Sequence, residues 1–308
     1  MARSESPSLA SPSTGRARQF YELTKPRVVA LIMLTSVVGS LLAVPGLPPW
    51  DLLLWGNLGI GLAAASAAAL NQILDQRIDA KMARTRTRPL PTGAVTEREA
   101  VAFAVALGCA SMLILWLLVN PLTALLTFAS LIGYAMVYTL WLKRATPQNI
   151  VIGGAAGAAP PVLGWVAITN DVHAHALLLF LIIFAWTPPH FWALAIARRD
   201  DYAKVNIPML PVTHGVEFTR LHVLLYTIIL CLVTMLPWLT GMSGLPYLGA
   251  ALLLNALFLR QAIALKRSTA RELPMRMFHF SVQYLMWLFL ALLVDHYIFR
   301  LIPGGDFR

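Results

Sequence analysis

Apolar runs close to 20 residues long follow one another along almost the whole chain, parted by short polar stretches. They cover residues 27–44, 52–76, 99–119, 122–142, 149–168, 176–197, 221–240, 245–265 and 278–299. Coiled as a helix, a run of that length matches a hydrocarbon core about 30 Å thick. In that medium the backbone must satisfy its own hydrogen bonds, which a helix does within one segment. The pattern predicts an all-α polytopic membrane protein with nine transmembrane helices. Little more than Asn120 and Pro121 separates the third run from the fourth, which predicts a tight helical hairpin. The second and sixth runs each end in an acidic motif followed by a long basic segment. Their spacing predicts two four-helix halves plus a ninth helix, arranged around a central cavity.

The polar segments alternate in character. Segments 1–26, 77–98, 143–148, 198–220 and 266–277, with Arg27 and Arg260 at helix ends, hold every Lys and Arg except Arg300 and Arg308. The positive-inside rule places these segments and the N-terminus on the cytoplasmic side. Hydrophobic residues make up 58% of the 308 positions and charged residues 12%, about half the charged share of a soluble domain. A net charge of +10 would suggest a nucleic-acid partner in a soluble chain. Confined to alternate loops between apolar runs, it points to the lipid bilayer instead, and no nucleic acid is expected. Residues 1–19 are rich in Ser, Pro and Ala and lack the apolar centre of a signal peptide, so they read as a flexible tail. Residues 20–303 form a single domain and 304–308 a short C-terminal tail. Cys109 and Cys231 lie inside separate apolar runs and predict no disulfide.

The chemistry concentrates at two of the polar segments. In "NQILDQRIDAKMARTRTRPLPTG", Asn71, Asp75 and Asp79 recur every four residues. On a helix that spacing lines them along one stripe, each about 6 Å from the next. Carboxylates at a membrane mouth are costly and face a cavity or a partner. Two acids one turn apart suit a hard cation with oxygen ligands, such as Mg²⁺ shared with substrate phosphates. The second segment, "ARRDDYAKVNIPMLPVTHG", offers Asp200, Asp201 and Lys204. If the two halves face each other, these acids meet across a cavity ringed by Lys81, Arg84, Arg86, Arg88, Lys143, Arg144, Arg198, Arg199 and Lys204. Acids and cations converging on one mouth describe a metal-bridged polyphosphate site. The plainer alternative is a set of interfacial ion pairs that mark helix ends.

The first segment resembles the NxxxDxxxD and MxRTxxRP signature of the intramembrane prenyltransferase superfamily typified by UbiA. That resemblance covers nearly the whole chain and implies nine helices around a central cavity. It also implies acidic motifs on two loops that bind Mg²⁺ and a prenyl diphosphate. The second signature departs from the DxxxD of many relatives, since Arg198 and Tyr202 stand where the outer acids would fall. Asp200 and Asp201 are then the metal candidates of that loop. The stretches "WTPPHFWALAIARRDDYAKVNIPMLPV" and "YTLWLKRATPQNIVIGGAAGAAPPVLGW" resemble the protohaem IX farnesyltransferase branch. The branch implies transfer of a farnesyl group from farnesyl diphosphate to the 2-vinyl group of haem B. It implies a bacterial inner membrane, with the mitochondrial inner membrane second, and a haem-modifying or oxidase-assembly protein downstream as a further candidate partner.

On this basis Asp75, Asp79, Asp200 and Asp201 are the expected catalytic residues, and with Asn71 they would hold the metal. Arg84, Arg88, Lys143, Arg144 and Lys204 would grip the diphosphate. His190, after Pro188 and Pro189, would contact the haem acceptor, flanked by Trp186 and Trp192. Without the resemblance, His190 reads as a buried histidine bonded to a neighbouring helix. Tyr134 and Tyr138 face either the cavity or the interface, and the glycines of "GGAAGAAPP" read as close helix packing. Two rivals stand beside this expectation. One is a prenyltransferase of the same superfamily acting on an aromatic or quinone precursor. The other is a cation transporter with the aspartates as its ion path.

Overall fold

The computed structural model describes residues 15–83 and 85–298, excepting the side chain of Arg144. Arg84 and Arg300 lie outside the described residues, as do both chain ends. Every regular element among those described is helical. Helices α1 (Arg16–Leu23) and α2 (Pro26–Leu42) are bent against each other by 52°. Eight further helices are long and apolar enough to span a membrane: α3 (Trp50–Asp79), α4 (Glu97–Leu118), α5 (Pro121–Leu142), α6 (Asn149–Thr169), α7 (Ala174–Ala197), α8 (Val216–Leu239), α9 (Leu245–Arg267) and α10 (Leu273–Ile298). With the bent pair taken as one span, nine crossings result. Helix α1 starts inside the stretch 1–19 assigned to the tail, so residues 16–19 are helical.

Local chemistry sets the ends. Thr96 and Glu99 form a reciprocal capping box at the start of α4, which satisfies two backbone donors at once. Asn120 accepts from the Thr123 N–H at 2.8 Å, and Pro121 opens α5, a position where its missing N–H costs nothing. The predicted hairpin between α4 and α5 is therefore built by its two linking residues. Helix α3 runs on to Asp79, beyond the apolar run that ends at residue 76, and so carries the whole Asn71–Asp75–Asp79 stripe. From Gly133 to Leu142, α5 is wound as a π-helix.

Packing follows chain order, with α3 against α4 and α7 against α8 in corresponding places, and α10 closes the bundle against both α2 and α7. Where α2 crosses α6 the backbones nearly touch. A methyl group on Gly39 would stand 2.1 Å from the Pro161 carbonyl oxygen, and one on Gly164 would stand 2.1 Å from that of Ser36. Small residues permit this approach, and Ser40 Oγ fastens it by donating to the Gly164 carbonyl at 3.0 Å. On the other side of the bundle Asn255 ties α8 to α10. Its amide donates to Thr234 Oγ1 at 2.9 Å, and its oxygen accepts from the Tyr284 hydroxyl at 2.7 Å. Buried Asp295 of α10 accepts from the backbone N–H groups of Gly244 and Tyr247 at 2.7 and 3.1 Å, capping α9 from outside.

Candidate active site

The last two turns of α3 present Asn71, Asp75 and Asp79 on one stripe, all three at most 5% exposed. Each is engaged. Lys143 Nζ lies 2.5 Å from Asp75 Oδ2, and Arg88 Nη1 lies 2.5 Å from Asp79 Oδ2. The Asn71 amide nitrogen donates to Asp75 Oδ2 at 3.1 Å and to Thr139 Oγ1 at 3.2 Å, while its oxygen accepts from Lys25 Nζ. Asn71 thus ties Asp75 and Lys25 to one another, and its side-chain oxygen keeps a second lone pair beyond the one that Lys25 meets. Beside it, Gln72 donates to the carbonyl oxygens of Glu22 and Leu23 at 3.1 and 2.9 Å. Two successive residues of α3 therefore hold the α1–α2 bend and the lysine within it.

The structure brings Asn71, Asp75, Asp79, Arg88 and Lys143 together. Among the described residues no hydrogen bond or ion pair joins the second acidic pair to them. Asp200 is exposed at the start of the short helix Arg199–Lys204, Asp201 pairs with Arg198 at 3.9 Å, and Lys204 is exposed. Among the described residues no three His, Cys, Asp or Glu side chains form a ready metal centre. Arg84, and Arg144 as a side chain, lie outside what is described. The donor set still fits a hard cation. Asp75 Oδ1 is a buried carboxylate oxygen with no hydrogen-bond partner, and Mg²⁺ is ordinarily held by one or two carboxylates, waters and substrate phosphates rather than by a protein cage.

The glycines of α6 connect this cluster to α7. A methyl on Gly153 would stand 2.2 Å from the Tyr138 ring, and one on Gly154 would stand 3.0 Å from Thr187. Tyr138 stacks on Tyr134 at 5.6 Å, next to the Thr139 that Asn71 bonds. An open apolar groove lies between α5, α6 and α7, lined by Leu126, Gly133, Ala155, Val162 and Phe180. On α7, His190 is 8% exposed and stacks on Trp186 at 4.2 Å and on Phe278 of α10 at 4.6 Å. Its Nδ1 lies 2.6 Å from Ser281 Oγ, and Trp186 Nε1 donates to the Ser281 carbonyl at 2.8 Å. Trp192 turns to another face, where it packs edge-on against Tyr226 of α8 at 5.3 Å. Trp186 and His190 therefore share a site that Trp192 does not join.

Sequence reasoning passed over Lys25, Gln72, Thr139 and Ser281. Gln72, beside Asn71, was open to discovery from its position, and Lys25 from its place at the start of an apolar run. A lone serine or threonine in an apolar helix carries no such signal.

Residues 32–293 match the UbiA prenyltransferase family. The chain is 62% identical over 281 residues to the protoheme IX farnesyltransferase of Methylococcus capsulatus, covering 91% of this chain and 94% of that one. It is 60% identical over 287 residues to the protoheme IX farnesyltransferase of Marinobacter nauticus, covering 93% and 95%. In fold it is similar to a digeranylgeranylglyceryl phosphate synthase, with a TM-score of 0.77 at 18% identity over 91% of this chain and 98% of that one. A UbiA homologue from Archaeoglobus fulgidus bound to DMAPP and Mg²⁺ superposes with a TM-score of 0.60 at 14% identity, covering 89% and 99%.

Proposed function

This chain belongs to the UbiA prenyltransferase family, and from that premise we propose that it transfers the farnesyl group of farnesyl diphosphate to the 2-vinyl group of haem B. It is a multi-pass membrane prenyltransferase. The transport alternative falls with that assignment. The observation that carries the proposal is the buried stripe of Asp75 and Asp79, met by Lys143 and Arg88, at one end of an apolar bundle. Such a place suits an amphiphile whose charged head stays at the mouth while its chain lies inside. Relatives named for haem farnesylation over nine-tenths of the chain favour haem over an aromatic or quinone precursor as acceptor.

Arg88, Lys143 and Lys25 supply positive charge where the diphosphate leaves, and so stabilise the charge that develops as its C–O bond breaks. Asp75 and Asp79 would hold Mg²⁺, with Asp200 and Asp201 reaching it once the second loop closes over the head group. When bound, that ion would act as a Lewis acid on the phosphate oxygens. Arg84, Arg144 and Lys204 would meet the same head group from the three loops 77–98, 143–148 and 198–220. Tyr134, Tyr138 and the apolar helix faces around them would keep water from the allylic carbon until the vinyl carbon attacks. His190 and Trp186 would face the acceptor. The distribution of Lys and Arg supports cytoplasmic loops in a bacterial inner membrane.

The test is turnover of purified protein in detergent with haem B, farnesyl diphosphate and Mg²⁺, read by mass. Farnesylated haem that disappears with Asp75→Asn and with EDTA supports the proposal. Prenylation of an aromatic acid, with haem untouched, would keep the family and replace the acceptor.

A further inference from the structure

The proton positions around His190 can be assigned from its partners. Ser281 Oγ has a single proton and lies 2.7 Å from the Phe278 carbonyl oxygen, which can only accept. Its hydroxyl is spent there, so towards His190 Nδ1, 2.6 Å away, Ser281 serves as acceptor. The imidazole then carries its proton on Nδ1 and a free lone pair on Nε2. Among the described residues Nε2 has no hydrogen-bond partner, and the residue as a whole is 8% exposed. Stacking by Trp186 and Phe278 fixes the ring plane. Trp186 also anchors the serine itself through the Ser281 carbonyl. A ring locked in plane, with its Nδ1 proton given to an outer acceptor and Nε2 bare, is the usual state of a metal-binding histidine.

Resting on haem as the acceptor, we infer that His190 Nε2 is an axial ligand to the haem iron and that Ser281 is the positioning residue that sets its tautomer. Ligation at one axial position would fix the porphyrin plane and leave its vinyl edge to be aimed by rotation about the Fe–N bond. Sequence alone gives Ser281 no such role, because it lies on α10, 91 residues away from the histidine it serves.

The experiment is a titration of the full chain in detergent with ferric haem B, followed by absorption and electron paramagnetic resonance. Wild type should give the spectrum of an imidazole-ligated haem. His190→Gly should lose that signature, and added imidazole should restore it. Ser281→Ala should weaken haem binding about tenfold and give a mixed-ligand spectrum. A wild-type signature that persists in His190→Gly overturns the inference, as does a Ser281→Ala protein that matches wild type in affinity and spectrum. Farnesyl transfer measured on the same samples separates the two levels. Product from wild type with a histidine-independent spectrum overturns the ligation alone, whereas no farnesylated haem from wild type overturns the choice of acceptor.

Discussion

The ammonium group of Lys25 donates to the side-chain oxygen of Asn71, joining the bend between α1 and α2 to the acidic stripe of α3. Lys25 adopts a left-handed conformation, with φ of 50°, directly before a proline. Such strain in a residue other than glycine persists only where its surroundings hold it, and it gathers at functional sites. With Lys25, the cluster counts three basic side chains, the others being Arg88 and Lys143, against the carboxylates of Asp75 and Asp79.

Three basic groups at one mouth suit an anion. Lys25→Met should weaken the binding of pyrophosphate in the presence of Mg²⁺ by about ten- to a hundredfold, the range for a lost hydrogen bond to a charged group. Lys25→Arg should keep part of the affinity. Calorimetric titration decides it, and unchanged affinity in Lys25→Met would reduce the residue to a tie between helices.

The Asp75–Lys143 pair predicts a compensating double mutant. Its side chains are 5% and 14% exposed, so removing either partner leaves a charge in a poor place, at a cost of about 3 kcal/mol. Asp75→Asn and Lys143→Met should each lower the unfolding midpoint. The double variant should be more stable than either single one, though inactive. Simple additivity of the two losses would show that the pair is not coupled.

The eight long spans among the described residues were legible because an apolar run of about 20 residues has few other uses. The stripe at Asn71, Asp75 and Asp79 was legible because a four-residue repeat means one helix face. The break at Thr24 and Lys25 was hidden, since a lysine before a membrane run reads as an ordinary interfacial flank. The facing of Trp192 and the pairing of His190 with Ser281 depend on which neighbour each face of α7 meets, and that is decided by tertiary packing. The π-helical end of α5, where Tyr138 is seated on Gly153, likewise has no local signature.

The α2–α6 crossing predicts a sharp contrast among glycines. Gly39→Ala and Gly164→Ala would drive a methyl into a carbonyl oxygen on rigid backbone, and overpacking of this kind costs about 1–3 kcal/mol. Gly157→Ala and Gly249→Ala meet nothing within 4 Å and should leave the midpoint nearly unchanged. Thermal unfolding in detergent separates the two sets. Equal effects at all four positions would mean that helix propensity, rather than the crossing, governs.

Metal binding should depend on the diphosphate. Asp75 offers one unpartnered oxygen, while its other oxygen and Asp79 Oδ2 are already paired with cations. With no third acid grouped with them among the described residues, Mg²⁺ alone lacks a full set of protein ligands and should raise the unfolding midpoint little. Pyrophosphate brings oxygens for the metal and negative charge for Lys25, Arg88 and Lys143. Together, at concentrations near 100 times their dissociation constant, the two should stabilise the fold by about 2.7 kcal/mol. EDTA should remove that gain, and Asp75→Asn should not show it. An equal shift with Mg²⁺ alone would mean that the protein assembles a metal centre before substrate arrives, and would bring Asp200 and Asp201 to the α3 stripe in the resting state.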